Sequence, residues 1–126
     1  MTLLELRTQI TAALSSAAVP LGTYTYPNGQ TTPALWVDEG RPQPGLEVTG
    51  LEVVVYLNPN LKVTHTFKRT IVLRDWSCFL KNWSTTPGIV EAALNAISSQ
   101  FKHATNIRLI QAGAEGVERA SFSIPD

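Results

Sequence analysis

The sequence predicts an α+β fold, a mostly antiparallel sheet with two amphipathic helices packed on one face. Residues 2–18 and the stretch after Thr86 carry apolar residues at helical spacing. Gly50–Leu57, Lys62–Arg74 and the C-terminal residues instead alternate apolar and polar side chains, as strands with one buried face do. Since each helix and the sheet have one apolar face, these faces are expected to meet in one core. The length of 126 residues predicts a single domain, residues 1–126.

The first helix is predicted over residues 2–18. Thr2 and Glu5 have the spacing of a capping box, in which each side chain accepts a backbone N–H of the other residue. Pro20 and Gly22 end the helix. Its apolar side chains fall within an arc of about 100°. They are Leu3, Leu6, Ile10, Ala13, Leu14 and Ala17.

Two short strands, Tyr24–Tyr26 and Ala34–Val37, are predicted on either side of Pro27-Asn28-Gly29. An Asn-Gly pair supplies the positive φ angles that tight hairpin turns need. A loop without helix potential follows over Asp38–Gly45. Its Arg41-Pro42-Gln43-Pro44 could be a polyproline ligand, but a single tetrapeptide of this kind favours a rigid loop.

Gly50–Leu57 and Lys62–Arg74 are predicted to form an antiparallel pair through the turn at residues 58–60, with one face exposed to water. In the second strand, Phe67 and Ile71 belong to the apolar set that faces the core. The next segment, Trp76–Trp83, stays open, because it could extend the strand or form one helical turn.

The second helix is predicted to have Thr86 as its cap and Pro87 as its first residue, where the missing N–H costs nothing. Two strands, Asn106–Gln111 and Val117–Ile124, complete the chain around a glycine-containing connection. The combined periodicities predict a buried core. Its members are Leu6, Ile10, Val53, Val55, Phe67, Ile71, Leu94, Ile97 and Phe122.

The residues that could perform catalysis do not have the spacing in the sequence that a catalytic site needs. Asp38 and Glu39 are adjacent, so in an extended segment they point to opposite faces. Cys78 with His65 or His103 could form a nucleophile and base, but Cys78 lies among large hydrophobic residues, where thiols are usually inert. The sequence has no glycine-rich phosphate loop and no pair of residues at metal-ligand spacing. We therefore predict no enzyme activity, cofactor or metal.

Membranes and nucleic acids are not predicted as partners. The longest apolar run, Val53–Leu57, is far shorter than the about 20 residues that span a bilayer. The N-terminus lacks the basic leader of a secretory signal. Basic residues near Phe67, Trp76 and Trp83 would suit stacking on single strands, but on a strand Phe67 lies opposite Lys68. The two features then share no surface, so no sequence-specific nucleic-acid binding is expected.

Charge is distributed in blocks, although the whole chain is neutral. Residues 1–61 carry a net charge of −3, residues 62–81 a net +4 and the remainder −1. Such blocks fit a surface that pairs with another copy of itself, and the alternative is a basic, solvated strand. The complementary patches would be Lys68, Arg69 and Arg74 against Asp38, Glu39, Glu47 and Glu52.

The order of elements resembles a known family. A helix containing Leu-Glu-Leu-Arg (residues 4–7) leads to a hairpin, then to Pro-Ala-Leu-Trp-Val (residues 33–37) and an acidic loop with Gly-Arg-Pro (residues 40–42). Two long strands, a second helix and the terminal strand Glu118–Ile124 follow. Over nearly the whole chain this arrangement resembles the tail terminator (tail completion) proteins of long-tailed bacteriophages.

The resemblance implies a structural role in a virion. Members of that family form six-membered rings that sit on the last ring of the tail tube, stop its growth and offer a docking surface to head-completion proteins. The implied partners are copies of the chain itself, the tail tube protein and head-completion or neck proteins, and the protein would be made in the host cytoplasm. Two alternatives stay open: a related neck, adaptor or tube-initiating protein of the same particle, or a stand-alone bacterial binding or enzyme domain.

Aromatic residues and arginine are enriched at protein interfaces, and charged residues set their register. For each tryptophan, packing in the core is the alternative role. The interface candidates are Trp36, Asp38, Glu39, Arg41, Lys68, Arg69, Arg74 and Trp83.

Overall fold

The computed structural model describes residues 2–40, 47–58, 62–73, 75–110 and 118–125, which hold two helices and ten strands in three sheets. This mixture confirms the predicted α+β class. The helices are α1 (Leu3–Ser16) and α2 (Ile89–Gln100). The strands are β1 (Thr23–Thr25), β2 (Thr31–Pro33), β3 (Leu35–Asp38), β4 (Glu47–Thr49), β5 (Leu51–Leu57), β6 (Lys62–His65), β7 (Thr70–Leu73), β8 (Asp75–Asn82), β9 (Thr105–Ile110) and β10 (Glu118–Pro125).

The first helix begins with the predicted capping box. The Glu5 N–H donates to Thr2 Oγ1 at 3.1 Å, and the Thr2 N–H donates to Glu5 Oε2 at 3.2 Å. These bonds satisfy backbone donors that a helix N-terminus otherwise leaves unpaired. The buried side chains of α1 all belong to the predicted apolar stripe, and they are Leu6, Ile10, Ala13 and Leu14.

The main sheet has the strand order β3-β5-β8-β10-β9. Its β3 runs parallel to β5 and the other pairs are antiparallel. The segment around Trp76–Trp83, which the sequence left open, is the strand β8, and its Cys78 lies opposite Val55 of β5 and Phe122 of β10. β8 is therefore the antiparallel partner of β5, a position that the sequence assigned to Lys62–Arg74.

Lys62–Arg74 is not one long strand, as the sequence predicted. Its strands β6 and β7 pair with each other in a two-stranded sheet. The chain reverses because the Thr66 N–H donates to the Arg69 carbonyl at 2.8 Å, while the Arg69 N–H donates to Thr66 Oγ1 at 3.1 Å. Phe67 lies in this turn and is fully exposed, so its predicted place in the core is wrong.

The core of the described residues is one hydrophobic cluster. It contains seven of the predicted members, Leu6, Ile10, Val53, Val55, Leu94, Ile97 and Phe122. Side chains from α1 and α2 share it with alternate residues of β5, β8 and β10, such as Leu51, Cys78 and Ala120. Ile71 is the remaining predicted core residue, and the structure does not describe its side chain.

The second helix starts later than predicted. Gly88 is its N-cap, with a positive φ of 85°, and no side chain caps it. Thr86 instead accepts the Asn82 Nδ2–H at its carbonyl oxygen, at 2.7 Å, in the turn that leaves β8. The Gly88 N–H donates to the Glu118 carboxylate at 3.2 Å, so a side chain from β10 helps to fix the start of α2.

A small sheet of order β2-β1-β4 lies next to the main sheet. Tyr24 pairs with Thr32 of β2, and the predicted partner strand Ala34–Val37 is instead β3 of the main sheet. Gly22 joins the two sheets, because its N–H donates to the Leu51 carbonyl at 2.8 Å and its carbonyl accepts the Ala34 N–H at 2.9 Å. A Cβ at Gly22 would overlap the Thr49 carbonyl oxygen, so only glycine fits this close approach.

Candidate interaction surfaces

The hairpin of residues 62–73, called the arm from here on, carries the most exposed apolar side chain of the described residues. Phe67 at its tip has a relative exposure of 103%, and Val63 on β6 is about half exposed at 51%. Lys68 and Arg69 stand beside Phe67 and are exposed as well. Since a two-stranded hairpin is marginally stable alone in water, this ribbon would gain from a partner surface.

A second feature is the Trp36 cleft, a concave site of about 230 Å³ where α1, the small sheet and β3 meet. The indole Nε1–H of Trp36 donates to the Gly40 carbonyl at 2.8 Å, which fixes the ring against the start of the acidic loop. The guanidinium of Arg7 donates to the Leu35 carbonyl at 2.9 Å. The lining residues are Arg7, Tyr24, Tyr26, Thr32, Pro33, Leu35, Trp36, Val37 and Asp38.

One carboxylate, that of Asp38, lines this cleft, and two other acidic residues of this part of the chain are exposed. Asp38 ends β3, and its Oδ1 accepts the Glu39 N–H at 2.7 Å. Both residues are exposed, and so is Glu47 on β4. The cleft thus combines aromatic walls with one carboxylate, that of Asp38.

Glu52 does not belong to the predicted acidic patch. Its carboxylate is buried and accepts the Tyr24 hydroxyl at 2.7 Å and the Trp83 Nε1–H at 3.1 Å. Burial, and then the hydrogen bond and negative charge of Glu52, raise the pKa of Tyr24 far above its usual value. Glu52 therefore links the small sheet to the main sheet instead of facing a partner.

A third surface lies on the side of the main sheet opposite to Cys78 and Leu80. The rings of Tyr56 and Phe79 stack there with centroids 5.6 Å apart and planes 10° from parallel. Lys81 Nζ lies 5.7 Å from the ring centroid of Trp83, a cation–π distance. A cleft of about 310 Å³, called the Phe79 cleft, adjoins them and is lined by Phe79, Leu80, Lys81, Arg119, Ala120 and Ser121.

The structure thus distributes the predicted interface residues over three places. Trp36 and Asp38 share the Trp36 cleft, with Glu39 next to them, whereas Lys68 and Arg69 are on the arm. Trp83 lies on the third surface, about half exposed at 47%. Arg41 and Arg74 lie outside the described residues. Sequence periodicity did not identify Phe67 as a surface residue, because Phe67 alternates in step with the apolar residues that were expected to face the core.

The residues considered for catalysis are not brought together as a nucleophile and base. Cys78 is completely buried, and burial raises the pKa of its thiol strongly. His65 and His103 are exposed, and His65 Nδ1 lies 3.1 Å from Thr70 Oγ1 within the arm. The described residues contain no group of three or more His, Cys, Asp and Glu side chains that could hold a metal ion.

Comparisons with known proteins identify no relative of this chain. No family model matches the chain, and no curated protein or solved structure is significantly similar to it. Neither α1 nor α2, the helices of the described part of the chain, is long and apolar enough to cross a membrane.

Proposed function

We propose that this protein is a structural virion protein, a tail terminator that assembles as a hexameric ring on the end of a phage tail tube and offers a docking surface to head-completion proteins. The observation that carries the proposal is the arm with its fully exposed Phe67. An aromatic side chain at the tip of a two-stranded ribbon leaves a large apolar area in water. A protein whose role is assembly gains from such a residue, because association buries that area.

The proposal places both helices on one face of the main sheet. Helix residues such as Leu6 and Ile97 share a cluster with Val53 and Phe122, which are alternate residues of their strands. The other face, which carries the stacked Tyr56–Phe79 pair, would then contact the tail tube or the head-completion proteins. Aromatic residues suit this role because they contribute large contact areas at interfaces.

A ring of identical subunits needs a heterologous interface, in which one surface of each copy meets a different surface of the next. The basic arm tip and the acidic rim at Asp38 and Glu39 are two such different surfaces. Exposed ion pairs contribute only about 0–1 kcal/mol each. They would set the register, and apolar contacts would supply most of the affinity.

The first experiment is to purify the phage particles whose genome encodes this chain and to analyse them by mass spectrometry and immunogold labelling. The proposal requires several copies of this chain at the junction of tail and head. Particles with complete tails but without this chain would refute it.

The second experiment is charge reversal on the arm. Lys68→Glu should block tail completion in a complementation assay while thermal unfolding of the purified chain stays unchanged, because Lys68 is exposed. Lys102→Glu, a reversal at an exposed lysine after α2, is the matched control and should complete tails normally. Equal activity of the two variants would remove the arm from the assembly interface.

A further inference from the structure

We propose that the arm of one copy docks in the Trp36 cleft of a second copy, with Phe67 inside the cleft and Lys68 and Arg69 against Asp38 and Glu39. This inference rests on the proposed self-assembly and specifies which two surfaces meet. It concerns the contact between copies and not the contacts with the tail tube or the head.

The cleft has the size and walls for a phenylalanine ring. Its volume is about 230 Å³, and a cavity of about 150 Å³ is enough to hold benzene. Tyr24, Tyr26, Pro33 and Trp36 line it, and aromatic walls favour an inserted ring through stacked or edge-to-face contacts. Arg7, which also lines the cleft, carries a guanidinium that is attracted to the face of an aromatic ring.

Charge distinguishes this cleft from the two others described. The Phe79 cleft has no carboxylate among its described lining residues, and Lys81 in that lining has the same sign of charge as the arm tip. The cleft between α1 and α2 is lined by small and polar residues without charge, such as Ala13, Ser16 and Gln100. Among these three, only the Trp36 cleft has a carboxylate in its described lining, that of Asp38, and its one cation, Arg7, donates to the Leu35 carbonyl.

The occupant that we infer is the arm of another copy of the chain. Phe67 has its whole side chain exposed, so the arm does not fill the cleft of its own subunit. Tip and cleft are different surfaces. After a single contact, the copy that contributes its tip therefore still has an empty cleft, and the other copy still has an unbound tip. Association therefore continues from subunit to subunit and closes as a ring where the rotation permits.

Photo-crosslinking tests this contact directly. The purified full chain is prepared with p-benzoylphenylalanine in place of Phe67, irradiated at increasing concentration and analysed by peptide mass spectrometry. We expect crosslinks from position 67 to cleft residues of another copy, such as Tyr26, Pro33 and Trp36, in a ladder that extends beyond dimers. The photoreactive residue in place of Ile107 is the control and should not label the cleft, because Ile107 is 51% exposed on β9, at the edge of the main sheet opposite to β3.

Mixing two variants tests the direction of the contact. Phe67→Ser removes the tip, so this variant should associate at least about tenfold more weakly than the wild type. Asp38→Lys reverses the charge of the cleft, so this variant should associate up to about fivefold more weakly than the wild type. Mixed together, they should form dimers that do not grow, because the pair contains one intact tip and one intact cleft. Asp38→Lys with Lys68→Glu in one chain should restore part of the association.

The outcomes separate this inference from the proposed function. Crosslinks to any other surface, or no crosslinks up to the solubility limit, overturn the tip-in-cleft contact even if the chain is found in virions. Crosslinks in the cleft together with virions that lack the chain support the contact and refute the tail-terminator proposal. Equal association of the Phe67→Ser variant and the wild type overturns the inference as well.

Discussion

Glu52 shows how the surroundings of one residue decide its role. In the sequence it is one of four acidic residues that could meet a basic patch. In the structure it is buried, and it accepts the hydroxyl of Tyr24 and the indole N–H of Trp83. A buried carboxylate needs such donors because burial without hydrogen bonds is costly.

Replacing Glu52 should therefore destabilise the protein. Glu52→Ala leaves the buried Tyr24 hydroxyl without its acceptor, and we expect a loss of about 1–3 kcal/mol in the free energy of unfolding. Trp83 is half exposed, so water can replace its lost partner. Urea denaturation measures the change. Glu47→Ala, at an exposed position, should stay within about 0.5 kcal/mol of the wild type. Equal stability of the two variants would contradict the structural role of Glu52.

Tyr24 makes stability dependent on alkaline pH. An unfolded tyrosine has a pKa of about 10, and the pKa of Tyr24 in the folded protein is raised well above that value. Above about pH 10 the unfolded chain loses this proton and the folded chain keeps it, so the free energy of unfolding falls as the pH rises. Urea denaturation between pH 9 and 11 should show a shallower decline for Tyr24→Phe than for the wild type. Parallel declines would show that Tyr24 titrates normally.

At the scale of elements, the arm and α2 respond differently to the loss of an apolar side chain. Phe67→Ala should change the free energy of unfolding by less than about 0.5 kcal/mol, because the side chain is exposed. Leu94→Ala should cost about 2–5 kcal/mol, because Leu94 is buried in the core cluster. Thermal and urea unfolding of both variants measure the difference. A large loss for Phe67→Ala would mean that the ring packs within its own chain.

The junction between the two sheets depends on Gly22. A Cβ there would lie 2.8 Å from the Gly50 carbonyl carbon and from the Leu51 nitrogen, which are both backbone atoms and cannot rotate away. Gly22→Ala should therefore destabilise the protein by about 1–3 kcal/mol or more, measured by urea unfolding. Gly40→Ala is the control, since a Cβ at Gly40 meets nothing within 4 Å. A Gly22→Ala variant as stable as the control would show that the two sheets can separate without loss.

At the scale of the whole molecule, the sequence predicted local elements better than their pairing. Both helices and the interior strand β5 follow from periodicity, and α1 has its predicted capping box. β8 escaped the pattern because Asn82 is buried on its inner side while the apolar Phe79 lies on the outer side. The parallel pairing of β3 with β5 depends on contacts that are distant in sequence, which periodicity does not report.

For the candidate site too, the sequence predicted local groupings of residues but not the contacts between distant segments. Trp36, Asp38 and Glu39 are neighbours in the sequence, so their grouping needed no tertiary information. The other walls of the Trp36 cleft come from α1 and the small sheet, as Arg7 and Tyr26 show, and only the fold brings them together. Phe67 was misplaced because the Thr66–Arg69 turn interrupts a pattern that otherwise continues as a strand.

The hydrogen bonds at Gly22 also determine which parts of the protein unfold together. The small sheet is tied to the main sheet through the Leu51 and Ala34 backbone, whereas the arm pairs only with itself among the described strands. Hydrogen–deuterium exchange should therefore show two cooperative units. Amides of β1, β5 and β8 would exchange together at global unfolding, and arm amides would exchange earlier through local opening. A contact that holds the arm would slow exchange there first and leave the core rates unchanged, so arm protection would report subunit contact in solution.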